Sequence, residues 1–154
     1  MNKLLAMTAA LFVFAGSALA DDLRATDADA NALVKNAVTY LKRHGPEKAY
    51  KEFSNKNGPF VYRDLYVVVL DMNGNCLAHG DKAEMIGQNL MRLKDPDGKE
   101  YVRERIEMVR EKPVGTQVFK RKNPATGQVE IRVFYYEKVD NVIVGSGAFK
   151  QIEK

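Results

Sequence analysis

The chain has 154 residues, a formal net charge of +4 and 45% hydrophobic residues. This length fits one domain and argues against a multidomain enzyme, and the ordinary apolar content argues against disorder or a membrane-spanning domain. Cys76 is the single cysteine, which excludes an intramolecular disulfide, a zinc ribbon and a C-x-x-C redox pair. We expect Cys76 to be a small buried residue at the start of a strand rather than a reactive thiol.

Residues 1–20 have the three-part pattern of a secretory signal peptide. Lys3 precedes an apolar stretch from Leu4 to Ala15, and small residues end the segment at Ala20. The apolar stretch is shorter than the ~20 residues that a membrane-spanning helix needs, which disfavours an uncleaved anchor. We expect cleavage after Ala20, a periplasmic or secreted location, and one mature domain over residues 21–154 that keeps 134 of the 154 residues and a net charge of +3.

Two amphipathic helices are predicted near the start of the mature chain. Residues 21–30 are acidic and alanine-rich, and we expect them to fray, although Thr26 followed by Asp29 resembles a capping box. Apolar residues then follow at helical spacing; they are Leu33, Val34, Ala37, Val38 and Leu41. Gly45 and Pro46 are expected to end the first helix and open the second.

The middle of the chain predicts a β-hairpin followed by irregular structure. The run from Leu65 to Leu70 is rich in β-branched residues and is typical of a strand. Asn73-Gly74 favours a tight turn into a return strand over residues 76–79. Residues 81–95 are expected to form an irregular segment that crosses the sheet.

The last third predicts a crossing helix and three strands. Asp95-Pro96 supplies a cap and a first-turn proline for a helix over about residues 96–112, with Val102, Ile106 and Val109 on its apolar face. Strands are expected at residues 116–121, 129–139 and 142–149. The result is an α+β domain in which N-terminal helices pack on a roughly five-stranded antiparallel sheet with a crossing helix.

The sequence contains no recognisable catalytic constellation. Its two histidines are His44 and His79, and it has no P-loop, G-x-S-x-G or His-Glu-x-x-His motif. We therefore expect neither an enzyme nor a bound cofactor. The oxygen-rich turns at residues 71–75 and 95–98 lack the spacing of a calcium loop, so no metal is expected. The basic cluster at residues 120–122 indicates a solvent-exposed strand edge, where lysines oppose pairing with another strand, rather than a nucleic-acid surface.

Strand alternation places arginines beside aromatic side chains. Arg132 and Phe134 share one face of the predicted strand over residues 129–139, and Arg121 shares a face with Phe119 on the neighbouring strand. An inward-facing arginine near tyrosines is suited to clamp a carboxylate, because its planar guanidinium matches two oxygens.

Eight short motifs occur along the mature chain in a defined order. They are Asn55-Lys56-Asn57-Gly58-Pro59-Phe60, the run from Tyr66 to Gly74, Leu77-Ala78-His79-Gly80, Ile86-Gly87-Gln88-Asn89-Leu90, Asp95-Pro96-Asp97-Gly98-Lys99, the run from Phe119 to Pro124, Arg132-Val133-Phe134-Tyr135 and Gly145-Ser146-Gly147-Ala148-Phe149. Together with the order of helices and strands, these motifs resemble the single Cache domains, a family of extracytoplasmic sensors of small molecules.

The resemblance implies a PAS-like fold with a pocket between one sheet face and the crossing segment, and no catalytic activity. It also implies a small organic ligand, often a short carboxylate. Carried over by position, the ligand-binding residues are Tyr66, His79, Arg121, Arg132 and Tyr135. Arg121 stands where a tryptophan is usual, and Phe119 and Phe149 stand where tyrosines are usual, which suggests an altered choice of ligand.

The expected function is that of a free-standing periplasmic domain that binds a small anionic ligand and has no output module of its own. Because family members commonly sit in a membrane receptor or kinase, such a protein is the expected partner. The alternative is a protein-interaction or structural module of the cell envelope whose pocket has degenerated. The oligomeric state is left open.

Overall fold

The computed structural model describes residues 24–152, so the predicted signal peptide lies outside the described residues. Helix α1 (Asp27–His44) begins at Thr26, whose Oγ1 accepts a hydrogen bond from the Asp29 N–H at 3.1 Å. The Asp29 carboxylate accepts one from the Thr26 N–H at 2.8 Å. This reciprocal pair confirms the predicted capping box. Helix α2 (Pro46–Phe53) follows directly after Gly45, as predicted.

The expected fraying of residues 21–30 is wrong for the part that the structure describes. Ala25 is buried, and its N–H donates to Asp64 Oδ1 at 2.8 Å. Residues 27–30 already form the first turn of α1. The acidic residues of this segment stabilise the helix start, where negative charge is favourable, instead of leaving it unfolded.

Within residues 24–152, seven strands follow α1 and α2, and five of them form the main sheet. In chain order they are β1 (Val61–Tyr62), β2 (Leu65–Tyr66), β3 (Val68–Asp71), β4 (Cys76–His79), β5 (Val114–Lys122), β6 (Val129–Val139) and β7 (Val142–Lys150). Strands β1 and β2 pair only with each other, and the main sheet has the order β4-β3-β7-β6-β5 with every neighbouring pair antiparallel.

The predicted strand from Leu65 to Leu70 is interrupted at Val67. Leu65 and Tyr66 pair with β1, whereas Val68 and the residues after it pair with β4 and β7. The hydrophobic run therefore contributes strands to two different sheets. The composition of the run does not show where one strand ends and the next begins.

The crossing helix α3 (Tyr101–Glu111) begins later than the predicted residue 96. Asp95 does not cap the helix, because its Oδ1 accepts hydrogen bonds from the N–H groups of Asp97 and Lys99, both at 2.9 Å. Gly98 completes this turn with a φ of +84°, which glycine adopts without steric cost. The helix starts only after the turn has closed.

The sheet separates two apolar cores. Its back face, which carries Val69 and Val144, packs against α1 and α2. Its front face, which carries Leu70 and Phe134, packs against α3 and the crossing segment. The predicted α+β arrangement of N-terminal helices, five-stranded sheet and crossing helix is confirmed.

Candidate ligand-binding site

A cavity of about 20 Å³ lies at the front face, beneath α3 and the crossing segment. This volume is slightly more than the ~10–15 Å³ that one buried water requires. Apolar side chains from β3, β5, β6, α3 and the crossing segment form most of its wall. The polar lining residues are His79, Tyr101, Arg105, Arg121 and Arg132. Among the described residues, no carboxylate lines this cavity, so its side-chain charge is positive.

Arg132 reaches the cavity from the middle of β6, where it pairs with Phe119 on β5. It is 3% exposed, and its Nη1 donates to Tyr66 Oη at 3.0 Å. Its guanidinium carbon lies 4.5 Å from the centre of the Tyr66 ring, a cation–π distance. Burial lowers the pKa of Arg132, and its Nη2 has no hydrogen-bond partner among the described residues.

Arg105 reaches the cavity from the buried side of α3. It is 2% exposed, its Nε donates to Gln117 Oε1 at 3.0 Å, and its guanidinium carbon lies 3.8 Å from the centre of the Phe134 ring. Burial, followed by the charge of Arg132, lowers its pKa to about 9. Its Nη2 also lacks a partner within residues 24–152. Arg105 was not among the predicted ligand-binding residues, although its position between Val102 and Ile106 on the apolar stripe of the helix pointed to a buried side chain.

Arg121 and Tyr101 form the outer part of the site. Arg121 Nη1 donates to Tyr101 Oη, and the Tyr101 ring stacks on Phe119 with centroids 4.4 Å apart. Burial raises the pKa of Tyr101, so its hydroxyl stays protonated at neutral pH. Tyr101 was also missed, because the predicted helix start at residue 96 gave this position no particular role.

His79 lines the cavity as a neutral imidazole. Its Nδ1 accepts hydrogen bonds from the N–H groups of Asp81 at 3.2 Å and Lys82 at 2.9 Å, so the ring proton belongs on Nε2. Burial lowers its pKa to about 3, and the charges of Arg132 and Arg121 act in the same direction. The ring stacks on Tyr66 with centroids 5.0 Å apart.

Comparison with known proteins assigns the chain to a family. Residues 1–152 match the family description "Single Cache domain 2". The chain belongs to the single Cache domain family. Single Cache domains are extracytoplasmic, non-enzymatic domains that sense small ligands in receptors and kinases, so the resemblance noted in the sequence is confirmed.

Solved structures share the fold of this Cache domain. A methyl-accepting chemotaxis protein from Vibrio parahaemolyticus RIMD 2210633 matches with a TM-score of 0.68 and 21% identity, over 79% of this chain and 86% of that chain. A Cache chemosensory domain described for its carboxylic acid recognition matches with a TM-score of 0.61 and 19% identity, over 79% of this chain and 86% of that chain. These likenesses confirm the PAS-like fold.

A full-length signalling protein also resembles this Cache domain. The sensor histidine kinase MctS of Rhizobium johnstonii (strain DSM 114642 / LMG 32736 / 3841) is 29% identical over 89 residues. The match covers 56% of this chain and 19% of the kinase, so it concerns a small part of that protein.

Of the helices in residues 24–152, none combines the length and apolar character required to cross a bilayer.

Tyr135, one of the predicted ligand-binding residues, lies away from the cavity. Strand alternation turns its side chain to the back face of β6, where it packs against the core formed by α1. Its neighbours Phe134 and Tyr136 belong to the front core. Of the other four predicted residues, His79, Arg121 and Arg132 line the cavity, and Tyr66 lies beside it, where its hydroxyl accepts the hydrogen bond from Arg132.

The carboxylates near the cavity are paired with other cations. Glu130 precedes Arg132 by two residues on β6, but both of its oxygens accept hydrogen bonds from Arg24, at 2.7 and 2.8 Å. Glu104 accepts a hydrogen bond from Gln117 and lies 3.6 Å from Lys99 Nζ. Neither carboxylate forms an ion pair with a cavity arginine in the part of the chain that the structure describes.

Arg24 and Glu130 belong to a set of hydrogen-bonded residues that we call the N-terminal latch. It consists of Arg24, Ala25, Asp64, Asn123 and Glu130. Asn123 Nδ2 donates to both acids, at 3.3 Å to Asp64 and 3.0 Å to Glu130. The hydrogen bonds from Arg24 are the main cause that lowers the Glu130 pKa to about 2, whereas burial raises the Asp64 pKa.

The remaining candidate groups have structural roles. Asp71 Oδ1 accepts hydrogen bonds from the N–H groups of Asn73 and Asn75, both at 2.9 Å, as expected for a turn residue. Within residues 24–152, no group of three or more His, Cys, Asp or Glu side chains is arranged to hold a metal. Cys76 is fully buried, and burial raises the pKa of its thiol to about 11.

Proposed function

We propose that this Cache domain binds a small carboxylate, or a similarly anionic metabolite, in the periplasm and passes its ligand-bound state to a membrane receptor or kinase. The observation that carries the proposal is the charge of the cavity. Three arginines line it, and the nearby carboxylates of Glu104 and Glu130 are paired with other cations.

An anion in the cavity relieves a specific energetic cost. A buried charge without a partner is unfavourable, and both Arg105 and Arg132 are buried with one Nη2 unpartnered among the described residues. A hydrogen bond between an ionised donor and an ionised acceptor contributes about 1.5–3 kcal/mol. The donors of His79 and the arginines thus favour an oxygen-rich ligand that only accepts hydrogen bonds.

Ligand binding is tested by thermal denaturation of the purified protein with a panel of organic acids and amino acids. A ligand at a hundredfold excess over its Kd stabilises the fold by about 2.7 kcal/mol. Arg132→Met is expected to remove this stabilisation, whereas Arg110→Met, at an exposed position of α3, is expected to retain it. If no acid in the panel stabilises the protein, the proposal is refuted.

The same preparation tests the alternative of an interaction module with a degenerate pocket. A pull-down from envelope extract is performed with protein dialysed exhaustively to remove small molecules. A stoichiometric protein partner that binds equally well with or without added organic acids favours the interaction module. A partner whose binding changes with the acid supports the sensor.

We also propose that residues 1–20 are a leader removed after Ala20. The pattern of Lys3, an apolar stretch and a small-residue ending supports this proposal. Intact-mass measurement of the protein from a periplasmic extract tests it, because the mature chain would begin at Asp21. A mass that includes Met1 contradicts it.

A further inference from the structure

One group of polar side chains is centred on Tyr66, which lies beside the cavity in contact with the lining residues His79 and Arg132. Arg132 Nη1 donates to the Tyr66 hydroxyl at 3.0 Å, and the guanidinium carbon lies 4.5 Å from the ring centre. His79 stacks on the same ring and carries its proton on Nε2, since Nδ1 accepts from two backbone N–H groups. We call Tyr66, His79 and Arg132 the first arginine–tyrosine group.

A second group is centred on Tyr101. Arg121 Nη1 donates to the Tyr101 hydroxyl, and the guanidinium carbon of Arg105 lies 5.8 Å from the Tyr101 ring centre. Gln117 Oε1 accepts from Arg105 Nε at 3.0 Å and fixes that side chain. We call Tyr101, Arg105 and Arg121 the second arginine–tyrosine group. It comes from α3 and β5, whereas the first group comes from β2, β4 and β6.

Each group brings one buried, unpartnered guanidinium nitrogen to the site. These atoms are Nη2 of Arg132 and Nη2 of Arg105. Both guanidinium groups lie near the ring of Phe134, with their central carbons 5.2 and 3.8 Å from its centre. Phe134 and the neighbouring apolar wall thus provide a surface for carbon atoms, while the two nitrogens provide separate donors for oxygen atoms.

The charge of the site exceeds what one carboxylate can neutralise. Three arginines line the cavity, and the nearby acids have other partners: Glu130 is bound by Arg24 at 2.7 Å, and Glu104 lies 3.6 Å from Lys99. A monocarboxylate that pairs with one group leaves the other guanidinium buried without a counter-ion. Such a buried unpaired charge is costly.

We propose that the ligand is a short dicarboxylate, with one carboxylate on each arginine–tyrosine group and its carbon atoms against Phe134. The inference rests on the proposed function, because it names the class of anion that the same cavity binds. The space of about 20 Å³ is little more than that of one water, so the lining side chains must move apart to admit even the shortest members of the class, oxalate and malonate. Each carboxylate then accepts hydrogen bonds from a guanidinium group, whose planar, charged set of donors matches two carboxylate oxygens.

Isothermal titration calorimetry with acetate, oxalate, malonate and sulfate tests this inference. In the wild-type protein, oxalate or malonate is expected to bind at least about tenfold more tightly than acetate, as one additional charged pair predicts. Arg105→Met is expected to bring the ratio of the two Kd values close to one, while acetate still binds at the first group. Arg110→Met, at an exposed position of the same helix, is expected to keep the wild-type ratio.

The results separate this inference from the function on which it rests. Acetate binding as tightly as both dicarboxylates overturns the inference and leaves anion binding in place, and tighter binding of sulfate than of either dicarboxylate also overturns it. Binding of no anion at all refutes both. Should Arg105→Met fail to fold, as judged by circular dichroism, Arg121→Met provides the same test, because Arg121 belongs to the same group and is only partly buried.

Discussion

His79 is expected to make the stability of the domain depend on pH. Burial lowers its pKa from 6.5 to about 3, so the folded chain keeps this imidazole neutral in mildly acidic solution. Below pH 6.5 the unfolded chain binds a proton that the folded chain does not bind, and the balance shifts towards unfolding. The stabilising contribution is fully present above pH 6.5 and is lost as the pH falls towards 3.

The magnitude follows from these two pKa values. Between pH 6.5 and pH 5.0, an imidazole with a pKa of 6.5 changes from half to almost fully protonated, while one with a pKa of about 3 stays neutral. The corresponding loss in the free energy of unfolding is roughly 1.5 kcal/mol.

Urea denaturation at pH 6.5 and pH 5.0 measures this loss in the wild type and in His79→Asn. Asparagine is the matched variant, because its Oδ1 can accept the hydrogen bonds that Nδ1 accepts from Asp81 and Lys82 but does not titrate. The wild type is expected to lose roughly 1.5 kcal/mol more than the variant. Equal losses in the two proteins would refute the buried, neutral state of His79.

Three further predictions concern other parts of the fold. Glu130→Gln is expected to lower the free energy of unfolding at pH 7 by about 3 kcal/mol, because it breaks a buried ion pair. Urea denaturation measures this loss. The difference from wild type should shrink as the pH falls from 4.5 towards 2, because the Glu130 carboxylate then becomes protonated in the folded and the unfolded chain. Gly145→Ala is expected to cost about 1–3 kcal/mol through overpacking, since the new Cβ would overlap the Phe134 ring; failure of Phe134→Leu to recover part of that loss in the double variant would contradict the explanation. Cys76 is expected not to react with iodoacetamide at pH 8 until denaturant is added, because its thiol is buried with a pKa of about 11; modification of the native protein, seen by mass spectrometry, would be evidence against that environment.

Much of the fold could be predicted because local patterns agree with the tertiary structure. The capping box at Thr26 and the Asn73-Gly74 turn act through the backbone of a few neighbouring residues. The start of α3 was misplaced because Asp95 is equally suited to cap a helix and to close a turn. The choice depends on hydrogen bonds to Asp97 and Lys99, which composition does not specify.

The candidate site was predicted only in part for a similar reason. Residues on strands, such as Arg121 and Arg132, followed from alternation and from the family resemblance. Arg105 lies on a helix whose apolar stripe was recognised, but charged residues at such positions usually extend to solvent, and only the packing of α3 on β5 shows that this one is buried. Tyr135 shows the opposite limit, because motif correspondence placed it in the pocket while strand alternation turned it away.

The N-terminal latch joins the start of α1 to the strand that carries a cavity arginine. Arg24 precedes this helix of 18 residues, which is about 27 Å long at 1.5 Å per residue. The Arg24 hydrogen bonds to Glu130 are made to β6 itself, and Arg132 lies two residues further along the same strand. Because α1 also packs on the back face of the sheet, the start of the helix and the arginine side of the cavity belong to one packed unit.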